Sequence, residues 1–469
     1  MKISRRDTLK GLAAATAVGG LAACGRSTSP PAQTSRNDFY DVVVVGGGFA
    51  GVTAARDLSF RGRRTLLLEA RPRLGGRTFT SEFAGHRVDL GGTWIGVEQP
   101  FVWAERMRYG IGLAESAAFA QPQQGIYLAG GKRHQVTPEK YAELFASGAR
   151  KFLAPAQEAF PRPFDPFFSK AYERFDHLSS AQALEALKLS QPERDIVSGF
   201  AAINGHSHLA EIGYLDQLKW CALGAYDPLR LFENCARYRL EGGTGSLLDA
   251  MSNDSRAEVR LSSPVTAIVR ENDTYRVEIE EGGSVGTRAV LLAVPLNVLA
   301  SLRFEPGISA EKMAASRERI TGSGTKLYAR LKGTQPVFSA QGPDKTPLTF
   351  LWSEYVDEDS QIAVGFGPDP KLLDVNDTEA VQKAVAAFVP GAEVLESTGY
   401  DWNVDPYSQG TWCMYRPMFF SKYLRELQRP EGGLYFAGSD IANGWRGFID
   451  GAIESGMSAA RQIHSALNS

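Results

Sequence analysis

Asp41-Val42-Val43-Val44-Val45-Gly46-Gly47-Gly48-Phe49-Ala50-Gly51 is the stretch on which the fold turns. The β-branched run at 41–45 reads as a strand buried on both faces. It runs into glycines at 46, 48 and 51, which satisfy G-x-G-x-x-G, and a helix-compatible stretch continues to about Phe60. Gly46 permits the tight turn, Gly48 lets the backbone touch a pyrophosphate, and Gly51 lets helix and strand pack closely. The helix start, at Phe49 and Ala50, offers unpaired N–H groups and a positive dipole end to the phosphates. Residues 65–68 read as a second strand. Glu69 at its end, followed by Ala70, can accept hydrogen bonds from both ribose hydroxyls of an adenosine. Strand, helix, strand and acid in register predict a dinucleotide site on an α/β, Rossmann-type domain. The motif alone does not separate NAD from FAD.

Two further glycine pairs follow, in Arg71-Pro72-Arg73-Leu74-Gly75-Gly76-Arg77-Thr78 and Val88-Asp89-Leu90-Gly91-Gly92-Thr93-Trp94. An NAD dehydrogenase has no use for glycines so placed. With these residues the chain resembles the flavin-dependent amine oxidase family, which includes monoamine, polyamine and L-amino-acid oxidases. The resemblance implies FAD. Gly76 would bring backbone to the phosphates, while Arg77 would neutralise them or meet the flavin edge. Gly91, Gly92, Thr93 and Trp94 would lie against the isoalloxazine ring.

The C-terminus carries the likeness on. Leu434-Tyr435-Phe436-Ala437-Gly438 reads as another buried strand, and Gly444-Trp445-Arg446-Gly447-Phe448-Ile449-Asp450-Gly451-Ala452-Ile453 opens the final helix. Most of that helix is core by its apolar spacing. By resemblance its start, with Gly447, Phe448, Ile449 and Ala452, points at the flavin pyrimidine and favours the reduced anion. Gly438-Ser439 stands where family members often have Gly-Glu, so one ribityl contact changes. Residues 241–245 look like the return from a helical substrate domain, and 259–265 like the strand whose Val265 backbone meets adenine. The implied architecture is a discontinuous FAD-binding domain (38–96, 241–300 and 418–469) with an α+β substrate-binding domain (97–240 and 301–417).

Amine oxidation by a flavin needs a neutral amine whose alpha C–H faces the ring, and aromatic walls that exclude water. In the family two aromatic residues form those walls, and here they match Trp412 and Phe448. Thr411 stands at the position of the covalent flavin cysteine of monoamine oxidases, so the FAD is expected to be non-covalent. Lys326 matches the family lysine that holds a water against flavin N5. The chain looks most like a smaller exported bacterial group that oxidises nicotine-type alkaloids. The shared stretches are Tyr400-Asp401-Trp402-Asn403, Gly410-Thr411-Trp412-Cys413 and Phe160-Pro161-Arg162-Pro163-Phe164. The implied substrate is a small-molecule amine such as pseudooxynicotine or a related secondary amine, giving an imine and then an aldehyde plus methylamine. A departure lies at Trp94-Ile95-Gly96-Val97-Glu98, where Glu98 replaces part of an aromatic and histidine cluster and could face a cationic tail. Two other readings share the cofactor fingerprint: an FAD desaturase of greasy substrates, and a non-catalytic amine sensor.

The remaining sequence bounds location and partners. A charge of −2 over 469 residues gives no reason to expect nucleic acid or an anionic membrane surface. Ser4-Arg5-Arg6-Asp7-Thr8-Leu9-Lys10 resembles a twin-arginine export signal, and the apolar run at 11–23 is too short to span a bilayer. Leu21-Ala22-Ala23-Cys24-Gly25 looks like a lipobox, with Cys24 lipidated as the only membrane anchor. Residues 26–37 read as a tether. The expectation is a periplasmic enzyme whose electron acceptor is a c-type cytochrome or oxygen; the oligomeric state is left open. Cys221, Cys235 and Cys413 match no zinc spacing and read as buried thiols, and His206-Ser207-His208 lacks the partners of a metal site.

Overall fold

The structure, a computed structural model, describes residues 38–469. The export signal, Cys24 and the tether therefore lie outside the described residues. No helix among the described residues is long and apolar enough to cross a membrane.

The valine run forms the strand Phe39–Val45, with Val42, Val43 and Val44 fully buried. It sits between two parallel neighbours, Thr65–Leu68 on one side and Gly283–Leu292 on the other. A strand flanked on both edges and covered on both faces has no polar side, which is why it carries no alternation. Glu258–Arg260 extends the sheet beyond Thr65–Leu68, and Leu434–Phe436 pairs with Gly283–Leu292. The antiparallel strands Thr274–Ile279 and Val265–Glu271, followed by Arg303–Glu305, complete eight strands. Three separated runs of chain thus meet in one sheet.

One sequence expectation changes here. Residues 259–265 are not a single strand: Glu258–Arg260 ends, and Val265 opens a different strand five positions away in the sheet order. Pro264, which has no N–H to give a ladder, stands at the break.

Two helices start beside this sheet and pack on each other. They are Phe49–Phe60 and Ile449–Ala466. Their contact is backbone-close, since a methyl group at Gly456 would sit 2.4 Å from the Ala50 carbonyl oxygen. Arg56, on the first, makes a fully buried fork to Glu105 with both bonds at 2.7 Å. That pair ties it to the helix Pro100–Arg108.

A second sheet of seven strands holds the other side of the molecule, in the order Val394–Gly399, Thr325–Lys332, Ser360–Gly367, Phe350–Val356, Phe338–Gln341, Gln124–Ala129, Lys132–Val136. Lys326 lies directly opposite Phe366 in this ladder, so the two share a face. The helices Gln191–Gly205, Tyr214–Leu223 and Pro228–Ala236 complete this side. The cavity described next lies between the two sheets.

Candidate active site

One continuous cavity of about 280 Å³ is lined at one end by the first strand–helix–strand unit and at the other by Lys326, Trp352, Phe366 and three helices. Every expected cofactor and amine contact from Gly46 to Ala452 lines it except Gly51.

The glycines at the nucleotide end divide their work. Gly46 has φ +105°, and a methyl group there would meet the Ala293 carbonyl at 2.6 Å. At Gly51 it would fall 1.9 Å from the Gly46 carbonyl, so Gly51 closes helix onto strand behind the cavity. At Gly48 the nearest atom is the Gly75 carbonyl oxygen at 3.8 Å, and Gly48 faces open space. Gly76 and Gly438 face similar room. Neither helix that begins at the cavity has a side-chain cap. Their first N–H groups remain available to an anionic group. Glu69 is held by the N–H groups of Gly47 (2.7 Å, to Oε2) and Arg71 (2.9 Å, to Oε1), each oxygen keeping capacity for a ribose hydroxyl. Ala70 and Val265 line the same end. A chamber that a Cβ would fill, uncapped helix starts and a fixed carboxylate suit an adenine dinucleotide.

Arg77 lines the cavity and has protein partners that the sequence did not show. Its guanidinium donates to the Thr411 carbonyl (2.8 Å), Ser439 Oγ (2.9 Å) and Asp440 Oδ1 (2.6 Å). Asp440 also accepts from Leu296 N–H at 2.9 Å. Arg77 is a neutralised strut between two loops rather than a free phosphate cation, and nothing in Gly-Gly-Arg revealed the partner. Gly91 likewise serves packing, since a methyl group there would meet the Arg77 carbonyl at 2.1 Å. Gly92 stands beside Thr78 and Ile449.

At the amine end Lys326 is buried, and its Nζ donates to the carbonyls of Asp89 (2.6 Å) and Gly91 (2.9 Å) and to Thr93 Oγ1. The ammonium lies 4.6 Å from the Trp94 ring centroid. Burial pulls its pKa down to about 7, against the pull of Asp89 and Glu354. Asp89 is itself sealed in, accepting from Thr244 N–H (3.1 Å) and Thr244 Oγ1 (2.8 Å). It thereby holds the start of the helix Thr244–Asn253, the return that residues 241–245 foretold.

Trp412 lies flat on His206, with centroids 3.9 Å apart and planes 7° from parallel, and its Nε1 donates to the Asn204 carbonyl at 2.8 Å. Phe448 meets Trp220 and Trp445 edge-on at 4.6 and 4.9 Å. His206 ends the helix Gln191–Gly205 in the left-handed region (φ +48°), which stops the helix and turns the ring inward. Its Nε2 lies 3.0 Å from the Thr325 carbonyl, which can only accept. Nδ1 therefore takes the Thr411 hydroxyl proton at 2.9 Å. Burial drives the His206 pKa down to about 3, so the ring stays neutral. His208 turns away to Asp369.

Two expectations meet corrections here, and five lining residues are additions. Glu98 does not line the cavity; it pairs with Arg230 (3.1 Å) near the surface, so it is no anchor for a cationic tail. Cys235 is not closed core but opens onto the cavity, with its thiol pushed up to about 12 by burial. Asn204, Trp220, Phe232, Trp352 and Phe366 also line this end, and no local pattern announced them.

The chain belongs to the flavin-containing amine oxidoreductases: the profile of that family matches residues 49–464. It is an FAD-dependent amine oxidoreductase. Among its relatives, a pseudooxynicotine dehydrogenase of Pseudomonas sp is 42% identical, over 99% of this chain and 96% of that protein. A nicotine dehydrogenase of Pseudomonas putida is 36% identical, over 99% and 98%. In fold it matches a putrescine oxidase with bound putrescine (TM-score 0.80, 20% identity, 91% of this chain and 99% of that one). A cyclohexylamine oxidase of Brevibacterium oxydans gives a TM-score of 0.78 at 19% identity, over 92% and 100%.

Proposed function

We propose that this chain oxidises a secondary N-methylamine of the pseudooxynicotine type at the carbon next to nitrogen. The observation that carries the reading is the make-up of the amine end. Trp94, Trp220, Trp352, Phe366, Trp412 and Phe448 line it, and Lys326 is the one charged side chain among the described residues there. Such a chamber suits a single amine on an aromatic, uncharged body and offers no carboxylate to a second ammonium.

FAD, when bound, supplies the two-electron acceptor that takes the hydride. Trp412 and Phe448 flank the amine, align its alpha C–H and favour its neutral form by excluding water. Loss of hydride and of the nitrogen's proton leaves an imine. Water then adds to the carbon and the C–N bond breaks, giving an aldehyde and methylamine. Lys326, its Nζ held by the Asp89 and Gly91 carbonyls and by Thr93 Oγ1, fixes the turn that carries Gly91 and Gly92 at this end of the cavity. Thr411 turns its hydroxyl to His206, consistent with FAD held without a covalent bond. Acid precipitation is expected to leave the yellow colour in the supernatant; colour in the pellet contradicts this.

Anaerobic mixing with pseudooxynicotine, simple N-methylamines and putrescine tests the substrate. The oxidised flavin band should bleach with the first two and persist with the diamine. Rapid bleaching by putrescine alone would overturn the reading. The N-terminal signal supports export to the periplasm with Cys24 as lipid anchor, and a c-type cytochrome rather than oxygen as acceptor. Replacing Arg5 and Arg6 by lysine should trap the protein in the cytosol, and Cys24→Ser should release it from membranes. Air reoxidation as fast as turnover would make oxygen the acceptor instead.

A further inference from the structure

Trp412 and Phe448 reach the cavity on two separate segments, and a single short helix grips both. The helix Tyr214–Leu223 carries Asp216, Lys219 and Trp220. Asp216 accepts the Tyr415 backbone N–H on Oδ2 at 2.6 Å and the Arg446 guanidinium on Oδ1. Tyr415 is three residues beyond Trp412, and Arg446 is two residues before Phe448. Arg446 also lies over the Tyr415 ring, 4.0 Å from its centroid. Lys219 donates to the Asn443 carbonyl at 2.6 Å, and Trp220 packs edge-on against Phe448 at 4.6 Å.

This is an expensive arrangement in plain packing terms. Asp216 and Arg446 are each 1% exposed, and Arg446 Nε and Nη1 have no protein partner among the described residues. A buried ion pair is weak evidence for stability, since an apolar pair of similar shape often serves as well. What the pair does have is geometry. One carboxylate fixes the backbone of the first segment through one oxygen and the side chain of the second through the other. Nearer the start of the second segment the Tyr415 hydroxyl donates to the Asp440 carbonyl and Arg77 spans Thr411 and Asp440, while beside Phe448 the backbones touch: a methyl group at Gly447 would lie 2.5 Å from the Cys413 carbonyl oxygen.

We infer that Asp216 and Arg446 are positioning residues that set the gap between the Trp412 and Phe448 walls. The inference rests on the reading that those rings flank the amine. Neither residue lines the cavity, so neither touches substrate or cofactor.

The test uses the FAD-loaded enzyme and pseudooxynicotine as probe. Asp216→Asn/Arg446→Met removes both charges together and leaves no lone ion buried. It is expected to retain a full complement of FAD and to reduce it 10- to 100-fold more slowly, on the order of the loss a misplaced reacting group suffers. A merely structural pair would lower Tm and leave the single-turnover reduction rate unchanged. If the double variant fails to fold, Arg446→Lys is read instead. It keeps the charge but not the planar fork, and should again slow reduction with FAD retained. Reduction at wild-type speed by whichever variant folds overturns the inference. Trp412→Ala, measured alongside, separates the two failures. If that variant is slowed and the pair variant is not, positioning by the pair is wrong. If Trp412→Ala also reduces at wild-type speed, the flanking-ring reading is what failed.

Discussion

The two ends of the cavity are built by different means. At the nucleotide end the shape comes from backbone: glycines at 46, 48, 51 and 76, two uncapped helix starts, and one carboxylate at a strand end. At the amine end it comes from side chains delivered by distant elements, with Lys326 and Phe366 from adjacent strands, His206 from a helix terminus, and Trp412 and Phe448 from loops. Backbone recognition demands particular residues at fixed local spacing. Side-chain recognition demands only that rings meet in space. The first end should therefore break through sterics and the second through kinetics.

The largest effect is expected at Gly51. Gly51→Ala forces a methyl group to 1.9 Å from the Gly46 carbonyl. Overpacking against backbone should cost upwards of about 3 kcal/mol and leave insoluble or flavin-free protein. Soluble protein with a normal ratio of flavin to protein absorbance would break the comparison. Gly48→Ala sharpens it, because that methyl group meets nothing nearer than 3.8 Å. The chain should fold with near-normal Tm yet bind FAD roughly tenfold or more weakly, a factor worth about 1.4 kcal/mol. Titration of apoprotein with FAD reads the difference directly.

At the other end, His206→Phe keeps a ring against Trp412 but leaves the Thr325 carbonyl and the Thr411 hydroxyl without their partner. A loss of about 1–3 kcal/mol in urea unfolding is expected. With His206 neutral above a pKa of about 3, the variant should keep the wild-type pH profile between pH 5 and 8. Lys326→Met carries a pH signature. The folded pKa of about 7 lies below the unfolded value of about 10.4, so over that window the unfolded chain binds the extra proton. Wild-type stability relative to Lys326→Met should therefore rise as pH climbs from 7 to 9, and a flat difference in Tm contradicts the shifted lysine. The smallest effect belongs to Glu98→Gln. Its pairing with Arg230 near the surface predicts a reduction rate within about twofold of wild type.

The sequence was legible where backbone chemistry ruled. The strand at 65–68, the helix to Phe60 and the tight packing at Gly46 and Gly51 follow from sterics alone, and the structure has each, with open space at Gly48. Family register placed Lys326, Trp412 and Phe448 beside one cavity, though not the partners that hold them. Arg77 looked free to serve the phosphates or the flavin edge because its counter-ion, Asp440, lies more than 360 residues on. Glu98 looked like a pocket wall because a neighbour of Trp94 need not share its direction. His206 carried no signal beyond the glycine before it, since a helix stop tells nothing of where the next ring lands.

The most direct test of the account is single-turnover flavin reduction by pseudooxynicotine in Trp412→Ala. The ring shapes the space for the amine and leaves the nucleotide end untouched. FAD should stay bound at wild-type stoichiometry while the reduction rate falls by roughly 10²-fold through misalignment. Wild-type reduction across several amines would make Trp412 ordinary packing and contradict the assignment of this end of the cavity to the amine.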